Sequence, residues 1–534
     1  EGFLFMNETS VELNLIAPAQ YNITEELEKY AQDENRQAIR WIDSKGNRRV
    51  ISYKQLIENM NQYANALTSL GVELGDRVLV IVPRLPEAYN VYLACLKAGI
   101  VPIACSEMLR ASDLQYRIEH ASAKAVIAFD AFTTEINKIE GYDHILKCII
   151  GDDEEGWINL STLAAQQSTE FEAAATSRDD MAFLSYTSGT TGKPKGVVHS
   201  HGWGYAHVRT AASNWLGVHE GDLVWATAAP GWQKWIWSPF LSTIMLGATA
   251  FVYYGGFEGD KYLQLIQEEN INILCCTPTE YRIMAKLDTL KNYDLSSLRS
   301  AVSAGEPLNR PVIDTFMKLF NLKVRDGYGQ TENTLLIGTM ENMELRPGSM
   351  GKPTPGNNIK IINIEGEEVA PGEVGDIAVH KSSPALFKEY YRDLERTQAA
   401  YRGDWYITGD QASYDEDGYF WFEGRGDDII ISSGYTIGPF EVEDALNKHE
   451  AVQECAVVAA PDEIRGSIVK AYIVLKESYN SFDEDSMIKE LQEHVKTLTA
   501  PYKYPRSIEF LKELPKTTSG KIRRVELRQK ATSI

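Results

Sequence analysis

The chain has 534 residues, more than one hydrophobic core usually holds, and its 44% hydrophobic and 24% charged residues are those of a globular protein. Its 53 basic and 75 acidic residues give a net charge of −22, which excludes a general nucleic-acid surface and requires local basic groups wherever an anion is bound. No apolar run approaches the roughly 20 residues of a membrane helix, the start lacks the basic region of a signal peptide, and the six cysteines show no C-x-x-C spacing, so a cytoplasmic protein with reduced core thiols is expected.

In chain order, residues 38–42 and 49–53 read as two short strands around the turn 44–47, and residues 53–70 carry apolar residues at helical spacing. Residues 77–82 form a strand, 87–98 a helix and 100–104 a second strand, a βαβ unit that implies a parallel, doubly wound sheet. The arrangement returns, because Gly75-Asp76-Arg77-Val78 is echoed by Gly221-Asp222-Leu223-Val224 and residues 96–101 by 245–250. Two similar α/β layers are expected. Beyond Pro347 the texture changes to short strands with Gly and Pro turns, which suggests a small barrel. The charged join Gly424-Arg425-Gly426-Asp427-Asp428 then leads into a small α+β domain ending in a basic tail. The fold class is therefore α/β: a large N-terminal domain of two α/β layers plus a small barrel, residues 1–426, hinged to a small α+β C-terminal domain, residues 427–534.

Between the apolar residues 181–184 and Val197-Val198-His199 stands Tyr186-Thr187-Ser188-Gly189-Thr190-Thr191-Gly192-Lys193-Pro194-Lys195-Gly196. Glycines let the backbone turn its N–H groups onto a ligand, hydroxyls add short donors and two lysines add positive charge, which together suit phosphates. It is not the common nucleotide loop G-x-x-x-x-G-K-[ST], since only two residues separate its glycines and Pro194 follows Lys193. The stretch resembles the phosphate loop of the adenylate-forming enzymes, which include acyl-CoA synthetases, luciferases and amino-acid adenylation domains. The resemblance covers nearly the whole chain, with the motifs in the family's order.

The resemblance implies an ATP site lined by Thr187, Ser188, Gly189, Thr190, Thr191, Gly192, Lys193, Pro194 and Lys195. The second motif, Asp326, Gly327, Tyr328, Gly329, Gln330, Thr331 and Glu332, is implied to place Tyr328 near the adenine, Thr331 at the phosphate and bound acid, and Glu332 on Mg²⁺, a cation suited to one carboxylate plus phosphate oxygens. Asp410 in Thr408-Gly409-Asp410 and Arg425 are implied to hold the ribose, and Asp427 to be the hinge. Lys521, in Leu514-Pro515-Lys516-Thr517-Thr518-Ser519-Gly520-Lys521, resembles the family's mobile catalytic lysine. Ser433, Gly434, Tyr435, Arg465 and Lys496 match CoA-contacting positions of the medium-chain acyl-CoA synthetases, although Thr436 stands where relatives carry an arginine. Trp232, Gly305 and Gly329 are implied to wall the acyl pocket, with Gly329 leaving open a space that acetyl-CoA synthetases close with a tryptophan.

The resemblance therefore implies an ATP-dependent ligase, with Mg²⁺ and coenzyme A, that activates a short- to medium-chain acid through an acyl-AMP. An acetate- or aromatic-acid-specific ligase, or an acyl-AMP ligase without the CoA step, fits the same motifs. A non-catalytic nucleotide-binding regulator would keep the phosphate loop but could lose Glu332 or Lys521, and both are present. An amino-acid adenylation domain would need an aspartate for the substrate ammonium where residues 229–234 read Ala-Pro-Gly-Trp-Gln-Lys. The partners implied are a small acid, ATP and CoA, with no nucleic acid and no membrane span, and a homodimer is left open. His199 and His201 lack metal-ligand context and read as structural.

Overall fold

A computed structural model of the chain describes residues 14–187, 193–305, 308, 310–432, 435–479, 481–499, 501–516 and 521–532. By internal contacts it falls into two compact units, one of residues 1–358 with 381–399 and the other of 359–380 with 400–534. The boundary read from sequence at 426/427 lies inside the second unit.

Among the described residues the first unit holds two large sheets. One orders nine strands as Lys352–Pro353, Leu335–Gly338, Val324–Gly329, Ser300–Ala304, Ile273–Cys276, Leu223–Ala226, Thr249–Tyr254, Gln37–Asp43 and Arg48–Ser52. From Val324–Gly329 to Gln37–Asp43 every neighbour is parallel. The other sheet orders Glu389–Tyr390, Lys195–Ser200, Met181–Thr187, Val101–Ala104, Arg77–Ile81, Ala125–Phe129, Leu146–Ile150 and Ile158–Asn159. The helix Tyr53–Ser69 starts at a Ser52 and Gln55 capping box, and the almost wholly buried helix Pro86–Lys97 packs beside it. One core cluster joins both sheets, with Ile39 and Val252 from one, Val78 and Ile127 from the other, and Leu56 and Leu93 from these helices.

The echo in the sequence is an echo in backbone geometry. Gly75 N–H donates to Gly99 O at 2.8 Å and Gly221 N–H to Gly247 O at 3.0 Å. Val101 N–H reaches Asp76 O at 2.8 Å, and Thr249 N–H reaches Asp222 O at 2.7 Å. All four glycines have positive φ, from +69° to +87°, so each layer uses the same left-handed turns to start a strand and its parallel neighbour in register.

In the second unit the short strands expected beyond Pro347 form a five-stranded antiparallel sheet built on Ile359–Ile362, Gly375–His380 and Trp405–Tyr414. The α+β part follows, with Val452–Asp462 and Gly466–Leu475 antiparallel, Ser507–Phe510 parallel to the latter, and helices Pro439–Asn447 and Glu484–Leu498. The end of the expected basic tail is instead a helix, Arg524–Thr532, because Leu527 and Ala531 give it an apolar stripe that packs against Val458 and Tyr472. Among the described residues no helix is long and apolar enough to cross a membrane, and all six cysteines are free and buried.

The repeated turns differ in what surrounds them. A Cβ on Gly221 would meet nothing within 4 Å, whereas one on Gly247 would stand 2.5 Å from Cε1 of Tyr30. Gly221→Ala should therefore cost only the left-handed backbone, about 1 kcal/mol. Gly247→Ala should lower the midpoint of thermal unfolding clearly further, and equal shifts would contradict this account of the repeat.

Candidate functional site

The strands Met181–Thr187 and Lys195–Ser200 are antiparallel, with Thr187 opposite Lys195, so the phosphate-loop stretch is the connection of a β-hairpin. Ser188, Gly189, Thr190, Thr191 and Gly192 lie outside the described residues. Of the flanking residues, Lys193 Nζ sits 5.2 Å from the ring centroid of Tyr116, whose hydroxyl donates to Pro194 O at 2.9 Å.

Lys195 is held more tightly. Its Nζ is 2.8 Å from Glu332 Oε1 and donates to the Tyr390 hydroxyl at 3.0 Å, while that hydroxyl donates to Glu332 Oε1 at 2.9 Å. Glu332 and Tyr390 are both buried. The fold thus brings the lysine that closes the phosphate stretch and the acid of the second motif to one point. Tyr390 was not found from sequence; the signal for it would have been the need of a buried carboxylate for a donor besides lysine.

The second motif runs from the strand Val324–Gly329 into a tight loop, in which Gln330 N–H donates to Asn333 Oδ1 at 2.8 Å and Phe387 N–H to Glu332 O at 2.7 Å. Asp326 takes Gly327 N–H at 2.8 Å, and burial pushes its carboxyl up to about 7. Gly327 is obligatory, since a Cβ there would stand 2.6 Å from the ring of Trp215. Tyr328 and Thr331 are half-buried.

The expectation that Gly329 leaves an open space is corrected. A Cβ on Gly329 would lie 2.2 Å from Thr334 O and 2.8 Å from Cη2 of Trp237, so a neighbouring backbone and an indole already fill that space. Gly305 ends the strand Ser300–Ala304 at φ +112° with nothing within 4 Å of a Cβ, and Trp232 is 39% exposed. At the carboxyl ends of the strands Leu223–Ala226 and Ile273–Cys276, a small cavity is lined by Ala226, Lys234, Ser238, Cys275 and Thr277. This is the strand end at which parallel sheets bind ligands. Trp237 is fixed from behind by His207, whose Nε2 lies 3.0 Å from Trp237 O and whose Nδ1 lies 2.7 Å from Thr334 Oγ1. Trp237 lies in a segment where the helix widens to π geometry, Ile236–Leu241, and His207 immediately precedes another, Val208–Leu216.

His199 and His201 are buried, as a structural role requires. His201 Nδ1 accepts Ile23 N–H at 3.2 Å, and His199 packs 4.3 Å from Trp203 and faces the backbone of Thr331 without a hydrogen bond of normal length. Among the described residues no group of three His, Cys, Asp or Glu side chains could cage a metal ion.

The second unit carries the remaining residues. Asp410 and Arg425 face each other across paired strands, and Gly426 N–H donates to Gly409 O at 2.6 Å, so the two expected ribose contacts share one sheet face. Asp427 lies 3.3 Å from Arg425 and 3.7 Å from Arg528. Arg465 occupies the turn between two long strands, its N–H on Asp462 Oδ1 at 2.8 Å, and Lys496 pairs with Glu493 at 2.6 Å over the Tyr504 ring. Ser433 and Gly434 lie outside the described residues, and Tyr435 is described by its backbone pairing with Ser432. Lys521 is exposed, next to the bridge of Ile522 with Lys516 and near the Arg523 N–H that donates to Pro515 O at 2.8 Å. Arg524, next in the chain, is anchored to the buried Glu443 at 2.6 and 2.7 Å.

Residues 27–391 match the family model described as AMP-binding enzyme, and residues 441–521 match its C-terminal domain. The chain is 60% identical over 517 residues to the uncharacterized acyl-CoA ligase YtcI of Bacillus subtilis, covering 97% of each. It is 41% identical to the mitochondrial acyl-coenzyme A synthetase ACSM3 of Mus musculus, over 94% of this chain and 88% of that one. Among solved structures, the anthranilate CoA ligase AuaEII in complex with anthranoyl-AMP superposes with a TM-score of 0.87 at 31% identity, covering 97% and 98% of the two chains. ATP-bound MatB from Rhodopseudomonas palustris gives 0.86 at 26% identity over 96% and 99%.

The buried histidines generate a pH prediction. Burial lowers His199 to about 3 and His201 and His207 to about 4, from the ordinary 6.5, so the fold favours their neutral forms. That stability is present above pH 6.5 and is lost as pH falls from there toward 4. Asp326 acts oppositely, since its raised pKa penalises the fold as pH rises from 3.8 to about 7. Three protons outweigh one. The unfolding midpoint of the ligand-free protein should fall from pH 7 to 5, and less steeply in His207→Gln; parallel slopes would refute the assignment.

Proposed function

Because the chain belongs to the AMP-binding enzyme family, and is an AMP-forming ligase of acids and coenzyme A, we propose that its substrate is a short- to medium-chain carboxylic acid, straight or branched. The acid's carboxylate oxygen attacks the α-phosphorus of ATP and pyrophosphate leaves, giving an acyl-AMP. The CoA thiolate then attacks the acyl carbonyl and AMP leaves. The observation that carries this reading is the 2.8 Å approach of Lys195 to Glu332, which joins phosphate hairpin and acidic motif in one buried cluster.

Activation of a carboxylate by ATP needs no protein nucleophile, so catalysis here is positioning and electrostatics. The residues present fit a magnesium ion carried by the nucleotide: Glu332 offers one hard carboxylate, and no all-protein cage stands among the described residues. When bound, the ion would supply positive charge beside the phosphates, with Glu332 as its protein ligand. Lys195 and Lys193 flank the triphosphate, Thr331 meets the α-phosphate and the acid, and Asp410 with Arg425 holds the ribose. Lys521 brings an ammonium to the reacting carboxylate and α-phosphate. The hinge reading gives Asp427 the pivot, so that residues 427–534 present Lys521 for the first step and Arg465 and Lys496 to CoA for the second. A cytoplasmic location is supported by the six free, buried cysteines.

The acyl chain is read as entering past Gly305 and Trp232 toward the small cavity at Ser238 and Thr277, with Trp237 as its side wall. The modest size of that space favours the short end of the range. Each buried methylene contributes about 0.8 kcal/mol, which sets the preference over acetate.

Pyrophosphate release with straight and branched acids from acetate to dodecanoate, with and without CoA, tests this reading. Butanoate to octanoate should exceed acetate by more than about tenfold in kcat/KM. Lys521→Ala should cut acyl-AMP formation by about 10²–10³ while sparing thioester formation from supplied acyl-AMP. A preference for acetate or for an aromatic acid would overturn the substrate reading, and equal losses in both half-reactions would overturn the role of Lys521.

A further inference from the structure

We propose that Tyr390 is a positioning residue that hands the Glu332 carboxylate from Lys195 to the metal of the bound nucleotide. This rests on Glu332 being the metal-facing acid. Lys195, Tyr390 and Glu332 form a closed triangle with sides of 2.8, 2.9 and 3.0 Å, and both contacts to the carboxylate fall on one oxygen, Oε1. A carboxylate this buried needs a compensating charge, and without nucleotide the Lys195 ammonium supplies it. The lysine thereby stands in for the metal.

An incoming triphosphate competes for Lys195, which lies at the end of the hairpin that brackets the phosphate stretch. If the lysine left alone, Glu332 would be charged, buried and free to turn. The Tyr390 hydroxyl prevents this. Tyr390 is 4% exposed and is fastened in the short strand Glu389–Tyr390, with Tyr390 opposite Val197 on the strand that begins at Lys195. Its hydroxyl therefore stays on Oε1 whichever cation Glu332 faces, and the other carboxylate oxygen keeps a fixed direction. The Tyr390 ring, 4.5 Å from Lys195 Nζ, also gives the ammonium an electron-rich face along which to withdraw. The exchange moves no covalent bond and no proton.

Manganese binding to the full-length protein, read by electron paramagnetic resonance with a non-hydrolysable ATP analogue and no acid, tests the assignment. Tyr390→Phe keeps ring, strand and aromatic face and removes only the hydroxyl. It should weaken Mn²⁺ about tenfold or more, as expected for a lost hydrogen bond to a charged group, and leave thioester formation from supplied acyl-AMP and CoA nearly unchanged. Glu332→Gln should weaken Mn²⁺ at least as much. Weakening in Glu332→Gln alone would overturn the role of Tyr390 and keep Glu332 as the metal ligand, whereas unchanged Mn²⁺ binding in both would overturn the metal reading itself. Loss of the thioester step in Tyr390→Phe would mark a general structural role and also overturn the proposal.

Discussion

A buried carboxylate must be answered by positive charge or by donors that replace water, and Glu332 is a place where this chain meets that constraint. Its answer comes from two distant segments, Lys195 on the phosphate hairpin and Tyr390 on an edge strand of the same sheet. Satisfying one acid therefore draws the hairpin, the second motif and the edge strand together. The same carboxylate would suit a nucleotide carrying a metal, because it needs one cation beside it with or without the ligand.

Around that point the first unit supplies rigidity. Parallel strands end side by side, so side chains at their carboxyl ends project into one region. His207 then ties Thr334, just after the second motif, to Trp237, which packs against Gly329. A shift of the motif is in this way passed to Trp237 through one buried histidine. In the second unit, paired strands set Asp410 against Arg425, and the Arg524 to Glu443 anchor fixes the chain just beyond Lys521.

Much of this was legible in the sequence, for identifiable reasons. The βαβ unit and its repeat could be read because glycine turns and apolar strands are local signals, and the structure returns them as matching backbone hydrogen bonds. The phosphate stretch could be read because binding phosphates restricts residue type, whereas the other motifs were implied only by their resemblance to the family's. Tyr390 could not, because it lies 58 residues from Glu332 and meets it only through sheet pairing. Gly329 misled for the same reason: a missing side chain suggests space, but Trp237 and the Thr334 backbone, brought in by tertiary packing, occupy it. The helix Arg524–Thr532 was masked by its charge, since two buried residues, Leu527 and Ala531, are enough to seat it.

On the proposed mechanism the acid is activated as an acyl-AMP before CoA takes part, by a site complete without the thiol. Exchange of labelled pyrophosphate into ATP measures this directly. Exchange should depend on the acid and Mg²⁺ and proceed with CoA absent. Exchange that appears only when CoA is supplied would contradict it, because no acyl-AMP would then form ahead of the thiol.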